Sequence, residues 1–284
     1  MTTDEELRLA AESLGESVLV VGAGPTGAVA VDRVSDRPVP ATDEAADPDA
    51  VVLAVDGSAP DSSLPDSEEV PAVPLSIAVV SLPARPTPDE RELLETLGGL
   101  VDAVVLTPST DTESLTDAVA TFVSVVRDPG FVNLDLADAR TVLADVDLAA
   151  LGVGTSDRGS PADAVAEAFT SLPAGVETDP ASGVLVDLVG GPAMSVEDVS
   201  DAVTAVRGRV GPDAHVIWGG AVAPELGDGV RVRLVVAGVT NARAAPGDPC
   251  PRCGATLSAY SLGGRTTLSC ENCGYAGVSV RLRE

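Results

Sequence analysis

The chain has 284 residues, of which 45% are hydrophobic, and a formal net charge of −27. This hydrophobic content excludes disorder as the default and predicts globular cores for two modest domains and a small module. All 17 basic residues are arginine and only 2% of residues are aromatic, as in proteins of salt-loving archaea. Because molar salt screens charges within roughly 3 Å, the acidity argues only weakly against nucleic acid. No run approaches the ~18 consecutive apolar residues of a membrane span, and residues 1–6 are acidic, unlike a signal peptide, so the sequence predicts a soluble, cytoplasmic protein.

In the first half of the chain, apolar runs alternate with helical patterns. The apolar run at 17–21 breaks into the glycine segment GAGPTG at 22–27, which predicts a strand, a glycine loop and a helix through Val34. The next predicted elements are strands at 50–55 and 75–82, a helix at 88–100, a strand at 101–106 and a helix at 111–127. Because strands and helices alternate, the sheet is predicted to be mostly parallel.

The second half is patterned more clearly. Its predicted elements are helices at 136–145 and 161–172 and strands at 148–153, 183–189, 215–222 and 230–239. Ser195 is predicted to cap a further helix. The core-facing side of that helix is predicted to hold Val196, Val199, Val203, Val206 and Val210. In the last strand, alternation predicts that Arg231 and Arg233 point outward.

The four cysteines form two close pairs near the C-terminus: Cys250 with Cys253, and Cys270 with Cys273. Two C-x2-C pairs at this separation predict one tetrahedral zinc site with four thiolate ligands. A hairpin at 256–269 and a strand at 278–282 complete a ribbon that is too small to hold a core without its metal. The ribbon is the least acidic region, and protein contact is favoured over nucleic acid as its role.

Four segments resemble one family, in the same order along the chain. They are PGFVNLDLADART at 129–141, LGVGT at 151–155, GVLVDLVGGP at 183–192 and PELGDGVRV at 224–232. Together they resemble FtsZ, the prokaryotic homologue of tubulin. The resemblance implies an α/β chain of two domains. The first is a shortened Rossmann-type GTP-binding domain that ends in a core helix, and the second is an α+β sandwich. The predicted division is 1–127, 128–240 and, for the zinc ribbon, 246–284.

In the FtsZ family, subunits stack head to tail, and a loop with the pattern N-x-D-x-x-D enters the nucleotide pocket of the neighbouring subunit. Asn133, Asp135 and Asp138 keep this pattern. The resemblance assigns Asp135 and Asp138 to positioning the attacking water, and Asn133 to shaping the loop. The alternative is that Asp135 caps a helix and that the other two are turn residues.

The N-terminal part departs from the family pattern. Where the family has a phosphate loop such as GGGTGTG, this chain has DGSAPDS at 56–62. Carboxylates and a proline in this segment are unfavourable for binding a triphosphate. Residues 35–50 are also too few for the strands, helices and phosphate loops that the family places there. Asp117 is the remaining candidate for a contact with guanine. The sequence therefore argues against a working GTP pocket.

Gly22, Gly24 and Gly27 lie where the first glycine loop of the family contacts phosphate, and they also spell the dinucleotide pattern G-x-G-x-x-G. Three interpretations stay open: a tight structural turn, a residual phosphate contact, and a dinucleotide site. Pro25 removes one N–H donor from the loop, which favours the turn.

These observations predict an FtsZ-like protein with little or no GTPase activity that binds or modulates FtsZ-type filaments in cell division or cell shape. Its expected partners are such filaments or homologous subunits, and its expected cofactor is zinc. Two alternatives stay open. One is a weak GTPase that self-assembles through its own nucleotide, and the other is a zinc-ribbon adaptor whose FtsZ-like body is only a scaffold.

Overall fold

The computed structural model describes residues 17–35, 48–57, 64–65, 70–82, 88–107, 112–127, 130–144, 146–157, 160–173, 176–241, 247, 255–262, 265–274 and 276–280. The strands are β1 Val18–Ala23, β2 Ala50–Asp56, β3 Leu75–Ser81, β4 Ala103–Thr107, β5 Leu148–Ser156, β6 Val176–Glu177, β7 Gly183–Gly190, β8 His215–Val222, β9 Val230–Ala237, β10 Thr240–Asn241, β11 Ser258–Leu262, β12 Arg265–Ser269 and β13 Ala276–Val280. The helices are α1 Gly24–Ser35, α2 Pro88–Gly98, α3 Thr112–Arg127, α4 Leu136–Leu143, α5 Pro161–Thr170 and α6 Val196–Arg207. Within these ranges, no helix has both the length and the apolar character needed to cross a membrane.

Eight strands form one mixed sheet in the order β1-β2-β3-β4-β5-β9-β7-β8. Neighbours from β1 to β5 are parallel, as are β7 and β8, whereas β9 runs antiparallel to both of its neighbours. The predicted α/β class with a mostly parallel sheet is confirmed. The pairing of β4 with β5 is short, joining 104–106 to 148–150, so the sheet is narrowest between its N-terminal and C-terminal halves.

Helices cover both faces of this sheet. The buried residues of α1, α3 and α4 pack on one face, and those of α2, α5 and α6 pack on the other. The crossovers β1-α1-β2 and β3-α2-β4 step in the same direction across the sheet but use opposite faces, so they have opposite hands. Because such crossovers are right-handed in about 98% of cases, one of these two connections departs from the rule.

Two glycines of β5 allow α5 to lie very close to the sheet. A Cβ atom on Gly154 would collide with the carbonyl oxygen of Ala164, and one on Gly152 would collide with the carbonyl oxygen of Ala168. Any larger residue would push the helix away from the strand. The close packing of α5 on β5 therefore explains both glycines of the LGVGT segment.

The predicted N-cap of α6 is present. Ser195 and Asp198 form a capping box: the Asp198 N–H donates to Ser195 Oγ at 3.3 Å, and the Ser195 N–H donates to Asp198 Oδ2 at 2.7 Å. The hydrogen bonds that the backbone N–H and the hydroxyl of Ser195 donate hold the pKa of the Asp198 carboxyl below its ordinary value.

The core-facing side of α6 differs from the prediction. The helix ends at Arg207, so Val210 lies beyond it, and Val196, at the first helical position, is 87% exposed. The residues that α6 buries are Val199, Ala202 and Val206. The valine spacing therefore predicts the correct buried face in the middle of the helix. It is wrong at both ends, where it adds Val196 and Val210 to that face.

A buried ion pair lies between β7 and β9. The Nε of Arg233 donates to Oδ2 of Asp187 at 2.5 Å, and each side chain is only 11% exposed. The prediction that Arg233 points outward is wrong, because β9 lies inside the sheet between β5 and β7 and is covered on both faces. Arg231 is half-buried, and its Nε makes no hydrogen bond with the part of the chain that the structure describes.

Candidate functional site

Three hydrogen bonds hold the loop that precedes α4. Val132 forms an antiparallel β-bridge with Gly220 of β8. In it, the Gly220 N–H donates to the Val132 carbonyl at 2.8 Å and the Val132 N–H donates to the Gly220 carbonyl at 3.2 Å. The Gly130 N–H donates to Oδ1 of Asn133 at 2.7 Å. The Asn133 side chain therefore closes a turn within this loop.

The two carboxylates of the N-x-D-x-x-D pattern form the N-terminal cap of α4. The Asp138 N–H donates to Asp135 Oδ1 at 2.9 Å, and the Asp135 N–H donates to Asp138 Oδ2 at 3.2 Å. This reciprocal pair is a capping box with aspartate at both positions. Asp135 is exposed and Asp138 is partly exposed, so both can still face a partner. The structure thus brings Asn133, Asp135 and Asp138 together at one helix N-terminus, where each has a structural role.

We expect Asp135→Ala to lower the free energy of unfolding by about 1 kcal/mol, because it removes the acceptor that satisfies the Asp138 N–H. Asp135→Asn is the matched control, since an asparagine keeps an acceptor at the N-cap and should be nearly neutral. Chemical denaturation of both variants in molar KCl measures the difference. Equal stability of the alanine and asparagine variants would contradict a capping role.

The glycine loop between β1 and α1 is a tight turn. Gly24 has a φ of +70°, which a side chain rarely tolerates. A Cβ atom on Gly22 would collide with the backbone of Gly27, and one on Gly27 would collide with the Ala54 carbonyl oxygen. Packing accounts for Gly22 and Gly27, and a positive φ accounts for Gly24. A nucleotide contact at this loop stays a prediction.

Three neighbouring strands each end in a polar residue at their carboxyl end. Asp56 of β2, Ser81 of β3 and Thr107 of β4 are direct neighbours in the sheet register, and all three are buried. The hydroxyl of Ser81 is fully buried, and no described residue hydrogen-bonds with it. Sequence reasoning missed Ser81 and Thr107. The signal that could have found them is a polar residue at the end of each Val-rich strand.

The described residues at this edge do not fit a triphosphate. The carboxyl end of a parallel sheet is where α/β folds bind ligands, but here the end of β2 carries the buried Asp56 carboxylate. The backbones of Gly22 and Gly27 also pack against each other. Residues 58–63 of the DGSAPDS segment lie outside the described ranges.

The C-terminal module is a three-stranded antiparallel sheet, β11-β12-β13. The predicted hairpin and third strand are confirmed, the latter starting slightly earlier in the chain than expected. Cys270 follows β12 directly and is buried, and Cys273 is partly buried in the turn after it. The Gly274 N–H donates to the Cys270 carbonyl at 3.0 Å, with Gly274 at a φ of +71°.

This turn fits one half of a thiolate zinc site. A C-x2-C pair must fold its backbone tightly for two sulfurs to reach one ion, and the bond from Gly274 to Cys270 closes such a turn. Thiolates are ligands that zinc favours. The other two predicted ligands, Cys250 and Cys253, lie outside the described residues. Among the described side chains of the module, Leu257 and Cys270 are the buried ones, so the core is small.

The fold resembles solved structures of FtsZ and tubulin-like proteins. An FtsZ dimer of M. jannaschii, described as empty, superposes with a TM-score of 0.66 at 22% identity, over 86% of this chain and 98% of that one. CetZ1 of Haloferax volcanii, a GDP-bound monomer, gives 0.59 at 14% identity, over 80% and 95% of the two chains. The chain therefore has the FtsZ/tubulin fold.

Two family models match parts of the sequence. Residues 147–240 match the C-terminal domain of the FtsZ family, and residues 247–273 match a zinc finger found in FPG and IleRS. Residues 147–240 thus resemble the C-terminal domain of the FtsZ family. The predicted resemblance to the FtsZ/tubulin superfamily, with a zinc finger at the C-terminus, is confirmed.

Sequence relatives are cell division proteins. FtsZ 1 of Halobacterium salinarum is 31% identical over 188 residues, which cover 58% of this chain and 48% of that protein. FtsZ 1 of Methanocaldococcus jannaschii is 35% identical over 128 residues, 45% and 35% of the two chains. The chain thus matches about half, or less, of the length of these relatives.

Proposed function

We propose that this chain is an FtsZ-like subunit that docks on FtsZ-type filaments and modulates them without a working nucleotide pocket of its own. The observation that carries the proposal is an asymmetry between two ends of the fold. The loop at 130–138 is fully formed, with its carboxylates in place, whereas the carboxyl end of β2 carries the buried Asp56. One end can therefore meet a partner, while the other is poorly suited to a triphosphate.

The shortened N-terminal half supports this proposal. The crossovers of α1 and α2 have opposite hands. The connection between α1 and β2 is also too short in sequence for the strands and helices that the family places between them. The absence of these elements would remove phosphate loops together with the strands. The division into a degenerate GTPase-like part at 1–127, a docking part at 128–240 and a ribbon at 246–284 is part of the proposal.

The docking end is proposed to enter the nucleotide pocket of an authentic FtsZ subunit. There Asp135 and Asp138 would orient the attacking water, which phosphoanhydride hydrolysis requires because water is a weak nucleophile. Asn133 would hold the loop in shape through its bond from Gly130. Because this subunit offers no pocket in return, it would cap a filament rather than extend it.

The ribbon is proposed to bind one zinc ion through Cys250, Cys253, Cys270 and Cys273. Zinc would supply the folding free energy that the small core of the ribbon lacks. A folded ribbon could then hold a protein partner, with nucleic acid as the less favoured target.

We expect the purified chain to sediment with filaments of Halobacterium salinarum FtsZ 1 assembled with GTP in molar KCl, and to lower polymer mass at substoichiometric ratios. The chain alone should show no GTP binding by isothermal titration, because the segment DGSAPDS at 56–62 has carboxylates and a proline where the family has a glycine-rich phosphate loop. The double variant Asp135→Asn, Asp138→Asn should still bind but should no longer affect GTP turnover. Unchanged polymer mass and turnover with the wild-type chain would refute docking. Saturable GTP binding by the chain alone would instead favour the self-assembling GTPase.

A further inference from the structure

A row of buried oxygen-bearing side chains lies at the carboxyl end of the parallel half of the sheet. Asp56, Ser81 and Thr107 are 6%, 0% and 3% exposed, and they are neighbours in the register of β2, β3 and β4. Side chains at matching positions of neighbouring strands lie on the same face of a sheet. We call these three residues the Asp56 row. Together they bring one carboxylate and two hydroxyls to one buried place.

The Asp56 row points into the core beneath a helix. Ala54, Val79 and Val105, two residues earlier in each strand, belong to the core on the face that α1, α3 and α4 cover. Because residues i and i+2 of a strand share a face, the row lies on this face as well. There α3 packs against β2 and β3. The oxygen atoms of the row are therefore directed under α3 rather than into solvent.

Ser81 is the member of the row that indicates a ligand. Its hydroxyl is fully buried, and no described residue hydrogen-bonds with it. A buried hydroxyl without a partner is unfavourable in free energy. The backbone beside it is fixed, because the Gly57 N–H donates to the Ser81 carbonyl at 3.0 Å. The fold therefore holds an oxygen with available lone pairs in the middle of the row.

The spacing and the chemistry of the row suit one singly charged ion. Neighbouring strands lie about 4.8 Å apart, so an ion on the Ser81 hydroxyl has Asp56 and Thr107 on either side within reach of a side chain. Carboxylate and hydroxyl oxygens are ligands for hard cations. Ca²⁺ needs more oxygens than the row offers, and Mg²⁺ usually keeps several water molecules. A single buried carboxylate balances one positive charge, which favours a monovalent alkali cation.

We propose that the Asp56 row binds a monovalent alkali cation, K⁺ or Na⁺, through the Asp56 carboxylate and the hydroxyls of Ser81 and Thr107. This inference goes beyond the proposed function, because it assigns a ligand to the end of the sheet that does not fit a triphosphate. It holds whether or not the chain docks on filaments. The ion connects the ends of three strands, so the sheet gains stability from alkali cations specifically and not only from salt in general.

The test measures the thermal unfolding midpoint of the full chain at constant molar ionic strength while KCl or NaCl replaces tetramethylammonium chloride. A ligand that binds only the folded state stabilises it in proportion to the logarithm of its concentration. The midpoint of the wild-type chain should therefore rise by about 3–5 °C per tenfold increase in one of the two alkali cations. Asp56→Asn should lose most of this dependence. Asp201→Asn, at an exposed position on α6, removes the same charge and should keep it.

Ser81→Ala distinguishes an ion ligand from a side chain that only packs. In tetramethylammonium chloride this variant should be at least as stable as the wild type, because it removes a buried hydroxyl that has no described partner. In KCl or NaCl it should be less stable, because it removes a ligand. An equal effect of the substitution in all three salts would overturn the proposal. So would a wild-type midpoint that does not distinguish alkali cations from tetramethylammonium, or one that responds to millimolar MgCl₂ instead.

Discussion

Replacing Arg233 alone with methionine should lower the free energy of unfolding by about 3–5 kcal/mol. The substitution removes the guanidinium that lies 2.5 Å from the Asp187 carboxylate, and both side chains are almost fully buried. Without that cation, the carboxylate would be held inside the sheet with much of its solvation lost. Chemical denaturation in KCl measures the change. Because a buried pair is screened little by salt, the loss should persist at molar concentrations.

The double variant Arg233→Met, Asp187→Leu tests whether the loss in the single variant comes from a buried charge without its partner. Removing both charges leaves neither member of the pair as an unpaired buried ion, so the stability of the double variant should return close to that of the wild type or exceed it. Arg207→Met, at an exposed position on α6, controls for the loss of one positive charge from a chain of net charge −27. A loss below about 1 kcal/mol in the single variant would mean that the pair behaves like an exposed salt bridge.

The Arg233–Asp187 pair shows which feature of the fold could not be predicted from the sequence. Alternation along β9 correctly predicted which residues share a face, but it assigned Arg233 to solvent. The exposure of a face depends on what the rest of the chain places over it, and β9 lies inside the sheet only because β7 follows β5 by way of a crossover. A carboxylate in the middle of β7 and an arginine in β9 were the available signals. Pairing them required the register, which is not local information.

Local patterns, in contrast, were reliable. The caps at Ser195 and Asp135 each depend on residues within one helical turn. The first was predicted from the sequence, and the second was one of two interpretations of the N-x-D-x-x-D pattern. The end of α6 was less certain because valine continues past Arg207, where Gly208 is the C-cap. The structure therefore follows the sequence most closely where the determining contacts are only a few residues apart.

In the candidate site too, residues within one short segment were predictable and residues from different strands were not. The N-x-D-x-x-D pattern located the loop at 130–138 that is proposed to dock, because all its residues lie in one short segment. The row formed by Asp56, Ser81 and Thr107 was only partly visible, since its members come from three strands and meet through the register. The packing of the Phe131 ring against Gly220 could not be predicted either, because the two residues are distant in sequence.

Removing zinc should unfold the C-terminal ribbon while leaving the eight-stranded sheet intact. A structural zinc ion contributes an apparent binding free energy of about 10–16 kcal/mol at pH 7, far more than a core with Leu257 and Cys270 as its described buried residues can supply. Cys270→Ser should therefore abolish stoichiometric zinc in metal analysis and expose the segment at 255–280 to proteolysis. Since the ligands must be deprotonated, zinc should also be released as the pH falls.

The ribbon prediction can be separated from a general loss of folding. Ser269→Ala, next to the proposed ligand, should retain zinc and resist proteolysis, because it removes no ligand. Chelation of the wild-type chain should reproduce the Cys270→Ser pattern, and the main denaturation transition of the sheet should not move in either case, because the two modules have separate cores. Full zinc content in Cys270→Ser would show that the thiolate after β12 is not a ligand and that the turn closed by Gly274 has another cause.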